Sequence, residues 1–413
     1  MSLHIVDLPP ELLFQILRHL PGPDIGRVCQ TCRKLREIGS VDSLWQIKCR
    51  IEYKYAVEGG LENSSYYKIY SKVLHKYGKS VGLWRRDRKV YGGLVWIRYD
   101  KEGIVGSELL APLSPNVKES MRRFDLFNIS LTSEDEVKVT CTAEVNGHPC
   151  SVKVKPKKGT CKYTCLDTSN HLYGDKKIDL KNDSSLIEVL NIWLDNERGS
   201  DGDNDMYHFT YYGRGMDFLK NIHTYKLKPL LIQPPVQDKD VPLQPGLFKG
   251  TYSAHGIEIM NAEYSQNFNT LTLTKITGDP NVPATKVSVK VDLLRPMVLT
   301  ANQQESIDNL DGVDTAHIEP GTKLEPQPFV FPRNCSERSG FNPPKTCLFR
   351  YHAQGQIAGH GFRSPTWSPG HFVVFDEDTF GMIWLQLESF SLYSRVMEKY
   401  DFSKLAQEHE LTR

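Results

Sequence analysis

The spacing of apolar residues changes near residue 80, and this change divides the chain into a helical part and a strand-rich part. Before it, Leu12, Leu13, Ile16, Leu17 and Leu20 recur at the spacing of a helix face. After it, short alternating segments such as FNISLT, VKVTCTA and TLTLTKI are separated by turn residues. Many short strands joined in this way are typical of antiparallel barrels and sandwiches. The sequence therefore predicts an α+β fold, in which an all-helical N-terminal unit precedes an antiparallel β-barrel-like domain with a few helices.

The same pattern predicts where the parts of the chain begin and end. The predicted parts are a helical unit over 1–52, a helical linker over 53–80, a β-rich domain over 81–400 and a C-terminal tail over 401–413. Within the β-rich domain, residues 184–197 have the spacing of one amphipathic helix. The stretch 301–328 is polar and contains several prolines, so we expect a long flexible loop there.

Charge and composition exclude several classes of protein. Lys and Arg number 51 against 50 Asp and Glu, so no net positive charge attracts nucleic acid or anionic lipid. No run of 18 apolar residues is present, so we expect no membrane span. The nine cysteines are an odd number, and the first residues lack the features of a secretion signal. Reduced thiols in the cytoplasm or the nucleus are therefore predicted.

Residues 8–50, LPPELLFQILRHLPGPDIGRVCQTCRKLREIGSVDSLWQIKCR, resemble an F-box. The Leu-Pro-x-Glu-Leu opening, the break after Leu20, the Val-Cys pair and the late Trp45 stand where that motif has them. The resemblance extends along most of the chain, to about residue 397, although the chain starts almost at the F-box and its loop at 301–328 is short. Segments similar to the F-box only protein 31 family are LHKYGKSVGLW, PGLFKGTYSAHGIEI, KITGDPNVPA, IAGHGFRSP and FDEDTFGMIWLQLESFSLYSRV.

This resemblance implies a substrate receptor of an SCF-type cullin–RING ubiquitin ligase. The helical unit would bind the Skp adaptor and, through it, the cullin–RING ligase. The β-rich domain would bind C-terminal tails of client proteins, of cyclin D type or with a terminal amide, for ubiquitination and degradation. Such a receptor needs no nucleophile, because it contributes by holding a substrate lysine near the donor thioester. The chain is therefore predicted to be a non-catalytic subunit of the ligase.

The predicted Skp-binding surface is centred on the first helix. A helical unit of this size cannot hide all of its apolar face, and a partner helix would bury the rest at roughly 25 cal/mol per Å². From periodicity alone, the same face could instead pack on the β-rich domain. The F-box motif favours the Skp adaptor. The predicted contact residues are Leu8, Pro9, Leu12, Leu13, Ile16, Leu17, Leu20, Val28 and Trp45.

Four of the nine cysteines fall between residues 141 and 165, close to two histidines. Thiolate and imidazole together suit zinc in a reduced compartment, and the alternative is four unligated side chains in a loop-rich patch. As the second zinc ligand after Cys141, either His148 or Cys150 is possible, and Cys161 is a weaker candidate. Four protein ligands would leave no open position, so the role would be structural. The resembled family has a structural zinc here, within 141–171, and the best match to its ligands is Cys141, His148, Cys165 and His171.

Three glycine-containing segments, GTYSAHGIEI, KITGDPNVPA and IAGHGFRSP, each place a polar residue where a strand meets a turn. Such segments allow the close backbone approach that a receptor for a chain end needs. A terminal amide offers two donors, whereas a terminal carboxylate only accepts and is charged. Asp279 is therefore the acidic candidate that would favour an amide, His255 and His360 are candidate hydrogen-bonding partners, and Arg363 would instead hold a carboxylate. The ordinary alternatives are an Asp-Pro turn and histidines that bond loop carbonyls.

Two other classes of function remain open from the residues. A β-barrel carrier of a small ligand predicts a closed apolar cavity and no tight Skp partner. A zinc hydrolase predicts an open metal position and a nearby carboxylate base, for which Asp167 is the candidate.

Overall fold

In the computed structural model, helices occupy the beginning of the chain and strands most of the remainder. The structure describes residues 4–55, 64–101, 103–112, 114–142, 147–155, 159–166, 172–173, 176–177, 187–192, 213, 215–217, 219, 223–237, 241–311, 313, 318, 324–337, 340 and 342–397.

Four helices form the N-terminal unit. They are α1 Pro10–His19, α2 Gly22–Val28, α3 Arg33–Gly39 and α4 Asp42–Tyr53. Proline near the start of α1 and of α2 costs no hydrogen bond, because the first N–H groups of a helix have no partner within it. Trp45 on α4 is buried, donates its indole N–H to the Gly39 carbonyl at 2.7 Å, and packs against Tyr67 and Tyr70. This tryptophan ties α4 to α3 and to the helical segment that follows.

The predicted linker over 53–80 is helical over most of its described part. It consists of α5 Tyr66–Lys68, a π-helical stretch Ile69–Leu74, α6 His75–Tyr77 and a final 3-10 turn Gly78–Ser80. The buried side chains of the π-helical stretch are Ile69, Tyr70, Val73 and Leu74.

Eight strands close a first barrel. They are β1 Gly82–Arg86, β2 Leu94–Asp100, β3 Gly103–Leu110, β4 Arg122–Leu131, β5 Val137–Cys141, β6 His148–Lys155, β7 Thr160–Cys165 and β10 Thr224–Pro229. The order around the barrel is β1-β10-β7-β6-β5-β4-β3-β2, so β10 completes a meander of consecutive strands. Between β7 and β10 in the chain, a separate two-stranded sheet pairs β8 Leu172–Tyr173 with β9 Lys176–Lys177.

Eight further strands close a second barrel. They are β11 Gly246–Thr251, β12 Ile257–Tyr264, β13 Thr270–Lys275, β14 Val287–Pro296, β17 Phe349–Gly359, β18 Arg363–Val374, β19 Thr379–Trp384 and β20 Ser389–Arg395. Each strand pairs antiparallel with the next, and β20 returns to β11. The short strands β15 Gln327–Pro328 and β16 Thr346–Cys347 form a two-stranded sheet of their own.

Successive side chains of these strands point alternately inward and outward, and both sets contribute to an apolar core. Inward side chains such as Leu271 and Leu273 of β13 fill the barrel. Outward side chains such as Val373 and Ile383 belong to an outer core, which the chain between β14 and β17 covers.

The segment 301–328 helps to build that outer core. It contains a 3-10 helix Asn302–Gln304 and an α-helix Ile307–Asp311, whose Ile307 and Leu310 are buried. The prediction of a flexible loop is therefore wrong for the described part of the segment. Few apolar residues occur in it, but they are spaced to cover the outward apolar face of the barrel.

The predicted α+β class is confirmed, and the β-rich region contains two barrels. Chain contacts place the N-terminal helices and β5–β7 in one compact unit and the second barrel in another. Residues 187–192 are helical, as predicted for 184–197. The rest of that helix and the tail over 401–413 lie outside the described residues.

Candidate functional site

The first helix leaves large aliphatic side chains at the surface. Leu12 is 51% exposed and Ile16 is 40% exposed, and the two lie one turn apart on α1. Pro9 is also exposed, whereas Leu8, Leu20 and Val28 are half-buried. Neighbouring exposed aliphatic residues at this spacing form a surface that a partner helix can cover.

Three of the residues predicted to contact Skp are instead buried within the helical unit: Leu13, Leu17 and Trp45. The cause is the width of the apolar stripe on α1, since Leu13 and Leu17 lie about 100° around the helix from Leu12 and Ile16. The prediction is corrected for these three residues. They support the exposed face from inside and do not form it.

Strands β5, β6 and β7 bring two cysteines and one histidine together. Cys141 stands directly opposite His148 in the β5–β6 register, and Cys165 is on the next strand. The ligand atoms of Cys141, His148 and Cys165 all lie within 4.8 Å of one another, and all three residues are buried. Nε2 of His148 is 2.8 Å from Sγ of Cys165, and the Tyr163 hydroxyl donates to Sγ of Cys141 at 2.9 Å.

These positions bear on the choice between His148, Cys150 and Cys161 as partners of Cys141. His148 belongs to the group, whereas Cys150 and Cys161 lie outside it, although both are buried. Burial raises the pKa of the Cys161 thiol to about 12, so this thiol stays protonated. His171, the fourth predicted ligand, and Asp167, the candidate hydrolase base, lie outside the described residues.

The three glycine-containing segments meet at one end of the second barrel. The Pro280 carbonyl accepts the N–H groups of Gly361 and Phe362 at 2.9 and 3.0 Å. The Asn281 side chain donates to the Ala358 carbonyl at 2.8 Å. His255 Nε2, in the third segment, lies 3.8 Å from Asp279 Oδ1. The segments predicted to bind a chain end thus lie together, at the β11–β12, β13–β14 and β17–β18 connections.

A buried charged cluster lies beneath these connections. The Lys275 ammonium, at the end of β13, is 2.6 Å from Glu258 Oε2 and 2.5 Å from Asp279 Oδ2. It also lies 4.2 Å from the centre of the Tyr252 ring. The Tyr252 hydroxyl is 2.9 Å from Ser288 Oγ. One ammonium therefore contacts two acidic groups, and His255 lies beside the second of them.

Asp279 itself is only 1% exposed, and both of its oxygens are occupied. Oδ2 pairs with Lys275, and Oδ1 accepts the N–H groups of Asn281 and Val282 at 2.6 and 2.9 Å. Burial by itself would raise the pKa of Asp279. The opposite effects are together larger and lower this pKa to about 2; they come first from Lys275, then from His255, and then from the backbone N–H of Val282. The acidic candidate of the tail site is therefore a buried anion.

The other two candidates lie at the surface. His360 and Gly361 form the turn between β17 and β18, and both are exposed, as is Arg363 at the start of β18. Gly361 has a φ of +74°, a conformation that glycine adopts without strain. The two glycines around His360 therefore build a tight hairpin turn, and that turn is bonded to the Asp279-Pro280 connection.

Sequence reasoning missed Lys275 and Glu258. A signal for Lys275 was present, because in TLTLTK the lysine takes the position of an inward side chain. A charge at an inward position of a barrel strand indicates a buried partner.

Two family models match the chain. An F-box-like model matches residues 5–51, and a model of the Cyclin D1 binding domain matches residues 230–399. F-box only protein 31-B of Xenopus laevis is 31% identical over 465 residues, which cover 97% of this chain and 85% of the frog protein. F-box only protein 31 of Rattus norvegicus is 33% identical over 458 residues, covering 96% and 85% of the two chains. The Homo sapiens protein is 31% identical over 473 residues, covering 96% and 84%.

The chain belongs to the F-box only protein 31 family. Its F-box and its Cyclin D1 binding domain make it a substrate receptor of an SCF ubiquitin ligase, with a Skp adaptor and a cullin as partners. The exposed face of α1 lies within the F-box match.

The Cyclin D1 binding domain of the family coincides with the second barrel, because β11 to β20 lie within the matched residues 230–399. The charged cluster and the three connections above it are therefore part of that domain. Among the described residues, no helix combines the length and apolar character needed to cross a membrane.

Proposed function

We propose that the second barrel binds the last residues of its client proteins and prefers chain ends that carry no charge. The observation that supports this most directly is the pair of buried acidic groups, Glu258 and Asp279, that lie on either side of Lys275 beneath the joined connections. A client carboxylate placed there would add a third acidic group beside one ammonium. A terminal amide adds no charge and supplies two N–H donors to a site rich in acceptors.

The preference should therefore depend on Asp279, whose low pKa keeps it ionised at neutral pH. Replacing Asp279 with asparagine removes that charge and leaves Lys275 paired with Glu258. We expect the ratio of affinities for amidated and free-acid forms of one tail peptide to fall by about tenfold, the effect of about 1.4 kcal/mol. The free-acid peptide should bind more tightly than it does to the unchanged protein. Fluorescence anisotropy with both peptides measures the ratio.

Asp308→Asn is the matched control, because it removes an exposed carboxylate from the helix Ile307–Asp311, which packs on the outer face of the same barrel. It should leave the ratio unchanged. A ratio in Asp279→Asn equal to that of the unchanged protein would exclude Asp279 from tail selection. The His360→Ala variant, read in the same assay, tests whether the exposed turn contacts the peptide.

The exposed face of α1 provides a separate prediction for the adaptor interface. Leu12→Asp and Ile16→Asp should each weaken Skp binding by about 100-fold or more, because each loses roughly 1.5–3 kcal/mol of apolar burial and places a charge there. Binding can be measured by isothermal titration of purified Skp adaptor into the variants.

Gln15→Asp is the control for the added charge, since Gln15 is exposed on the same helix. It should bind the adaptor nearly as well as the unchanged protein. Equal affinities for Ile16→Asp and Gln15→Asp would show that the adaptor does not use this face.

We also propose that Cys141, His148 and Cys165 hold a structural zinc ion, with His171 as the fourth ligand. The donor set fits in chemistry, because two thiols and an imidazole converge in a buried position and a fourth protein ligand would complete the tetrahedral set that structural zinc takes. The ion would supply crosslinking of β5, β6 and β7 and no catalytic step.

A non-catalytic role in the cytosol or nucleus is consistent with these residues. All nine cysteines are free, as expected of a reducing compartment. With His171 as a fourth ligand, the proposed zinc would have no open position for a hydrolytic water, and family membership favours a receptor over a small-ligand carrier.

A further inference from the structure

The outer face of the second barrel has a groove of about 450 Å³ beside helix Ile307–Asp311. This volume is within the range of small-molecule sites. Part of the groove is apolar, with Leu294, Leu310 and Val313 in its wall. Another part is polar and is lined by Arg295, His352 and His371. Neither the F-box nor the charged cluster at the barrel end includes these residues.

His371 connects this groove to a buried arginine. Arg350 is fully buried, and its Nη2 donates to Gln304 Oε1 at 2.9 Å, while its Nη1 lies 3.4 Å from His371 Nδ1. In the part of the chain that the structure describes, no aspartate or glutamate forms an ion pair with Arg350. Arg86 of β1 is similarly buried, but it lies 2.9 Å from Glu108. A buried guanidinium without a carboxylate partner stabilises any anion that binds near it.

Arg350 also fixes the tautomer of His371. A guanidinium can only donate, so Nδ1 accepts from Nη1 and the proton of the neutral ring is on Nε2. Burial, and then the charges of Arg350 and His352, lower the His371 pKa to about 3, so the ring is neutral at physiological pH. The Nε2–H on the side away from Arg350 is therefore a fixed donor in a residue that lines the groove.

The remaining charged groups of the groove favour an anion as well. Lys290 and Arg295 line it together with Asp292 and Asp311. Asp292 already accepts the backbone N–H of Leu294 at 3.1 Å, and Asp311 is exposed at the end of its helix. With Arg350 behind His371, three cations face two carboxylates.

We propose that this groove binds a small organic carboxylate that carries an apolar group. Its carboxylate accepts the His371 Nε2–H and pairs with Arg295. Its apolar part contacts Leu294 and Leu310. This site goes beyond tail recognition, because its residues lie on the outer face of the barrel, whereas Lys275 shares the inward face of β13 with Leu271 and Leu273.

The test uses the full chain in complex with its Skp adaptor, labelled with ¹³C at the histidine rings. The probe is 3-phenylpropanoate, and its neutral match is 3-phenylpropanamide. We expect the acid to shift the ring signals of His352 and His371 in a saturable way and to bind at least tenfold more tightly than the amide. Equal shifts by acid and amide, or no shift of either ring, would overturn the proposal.

Two variants locate the site. Arg295→Gln changes an exposed residue and should weaken acid binding at least tenfold, and His371→Phe should weaken it at least fivefold. Arg333→Gln, which changes an exposed arginine outside the groove, should leave the affinity unchanged. Acid binding of full strength in both Arg295→Gln and His371→Phe would place the probe elsewhere and contradict the assignment. Tail-peptide binding, measured in the same variants, should be unaffected.

Discussion

Replacing Lys275 with methionine is expected to destabilise the second barrel by about 3–5 kcal/mol, the usual cost of removing one partner from a buried ion pair. Lys275 is 1% exposed and lies between Glu258 and Asp279, which are equally inaccessible to water. Without the ammonium, two acidic groups remain together in an apolar environment. Their mutual repulsion and lost solvation oppose folding of β12 and β13, which carry the cluster.

Hydrogen exchange read by mass spectrometry can localise this effect to β12 and β13, because a global unfolding curve of a chain with several folded parts does not report one barrel. Lys345→Met, at an exposed position of the same compact unit, is the control and should exchange like the unchanged protein. The triple variant Lys275→Met, Glu258→Gln, Asp279→Asn should recover much of the protection, because it removes the unpaired charges as well. Unchanged exchange of β12 and β13 in Lys275→Met would show that the cluster does not stabilise the barrel.

Sequence patterns identified the segments of the tail site but not their chemistry. KITGDPNVPA was singled out for Asp279, and that segment does lie beside IAGHGFRSP. The burial of Asp279 could not be predicted, because its partners are fixed by barrel closure. Glu258 comes from the neighbouring strand, where Met260 stands opposite Lys275. Strand order and register set such pairs, and neither follows from one sequence.

For the fold too, features set by neighbouring residues were predicted, whereas features set by contacts between distant parts of the chain were not. Strands with clear alternation, such as β13, were predicted, whereas β17 was not. In its sequence, FRYHAQGQIAG, every second residue from Arg350 to Gln356 is polar, and the apolar alternation typical of a strand is weak. This polar face includes Arg350 and His352, which belong to the outer layer of the barrel. Part of the outer layer comes from 301–328, which was predicted to be a flexible loop because its few apolar residues, such as Ile307 and Leu310, are buried only by contacts distant in the chain.

The cluster of Cys141, His148 and Cys165 could be predicted only in part from the sequence. The sequence placed Cys141 in a cluster with either His148 or Cys150, and the β5–β6 register sets Cys141 directly opposite His148. That Cys150 stays outside the group, although it stands opposite Cys165, depends on the positions of side-chain atoms.

Replacing Cys165 with serine is expected to lower bound zinc from one ion per chain to less than about a tenth, because a hydroxyl is a far poorer zinc ligand than a thiolate. The loss should unfold β5, β6 and β7. These strands bring the three buried ligands together, and structural zinc sites typically contribute on the order of 10 kcal/mol of apparent binding free energy to folding. Elemental analysis of the purified protein gives the zinc content, and hydrogen exchange of the three strands gives the structural consequence.

Cys161→Ser is the matched control, because Cys161 is a buried thiol on the same strand and lies outside the group of three. It should keep its zinc and lose only the small stability that a buried hydroxyl costs. A chelator added to the unchanged protein should reproduce the exchange pattern of Cys165→Ser, since both remove the same crosslink. Purified protein without stoichiometric zinc, or Cys165→Ser with a full complement of it, would leave these residues as an ordinary buried Cys–His cluster. The order of the first barrel would then depend on apolar packing such as the stacked rings of Phe127 and Tyr163.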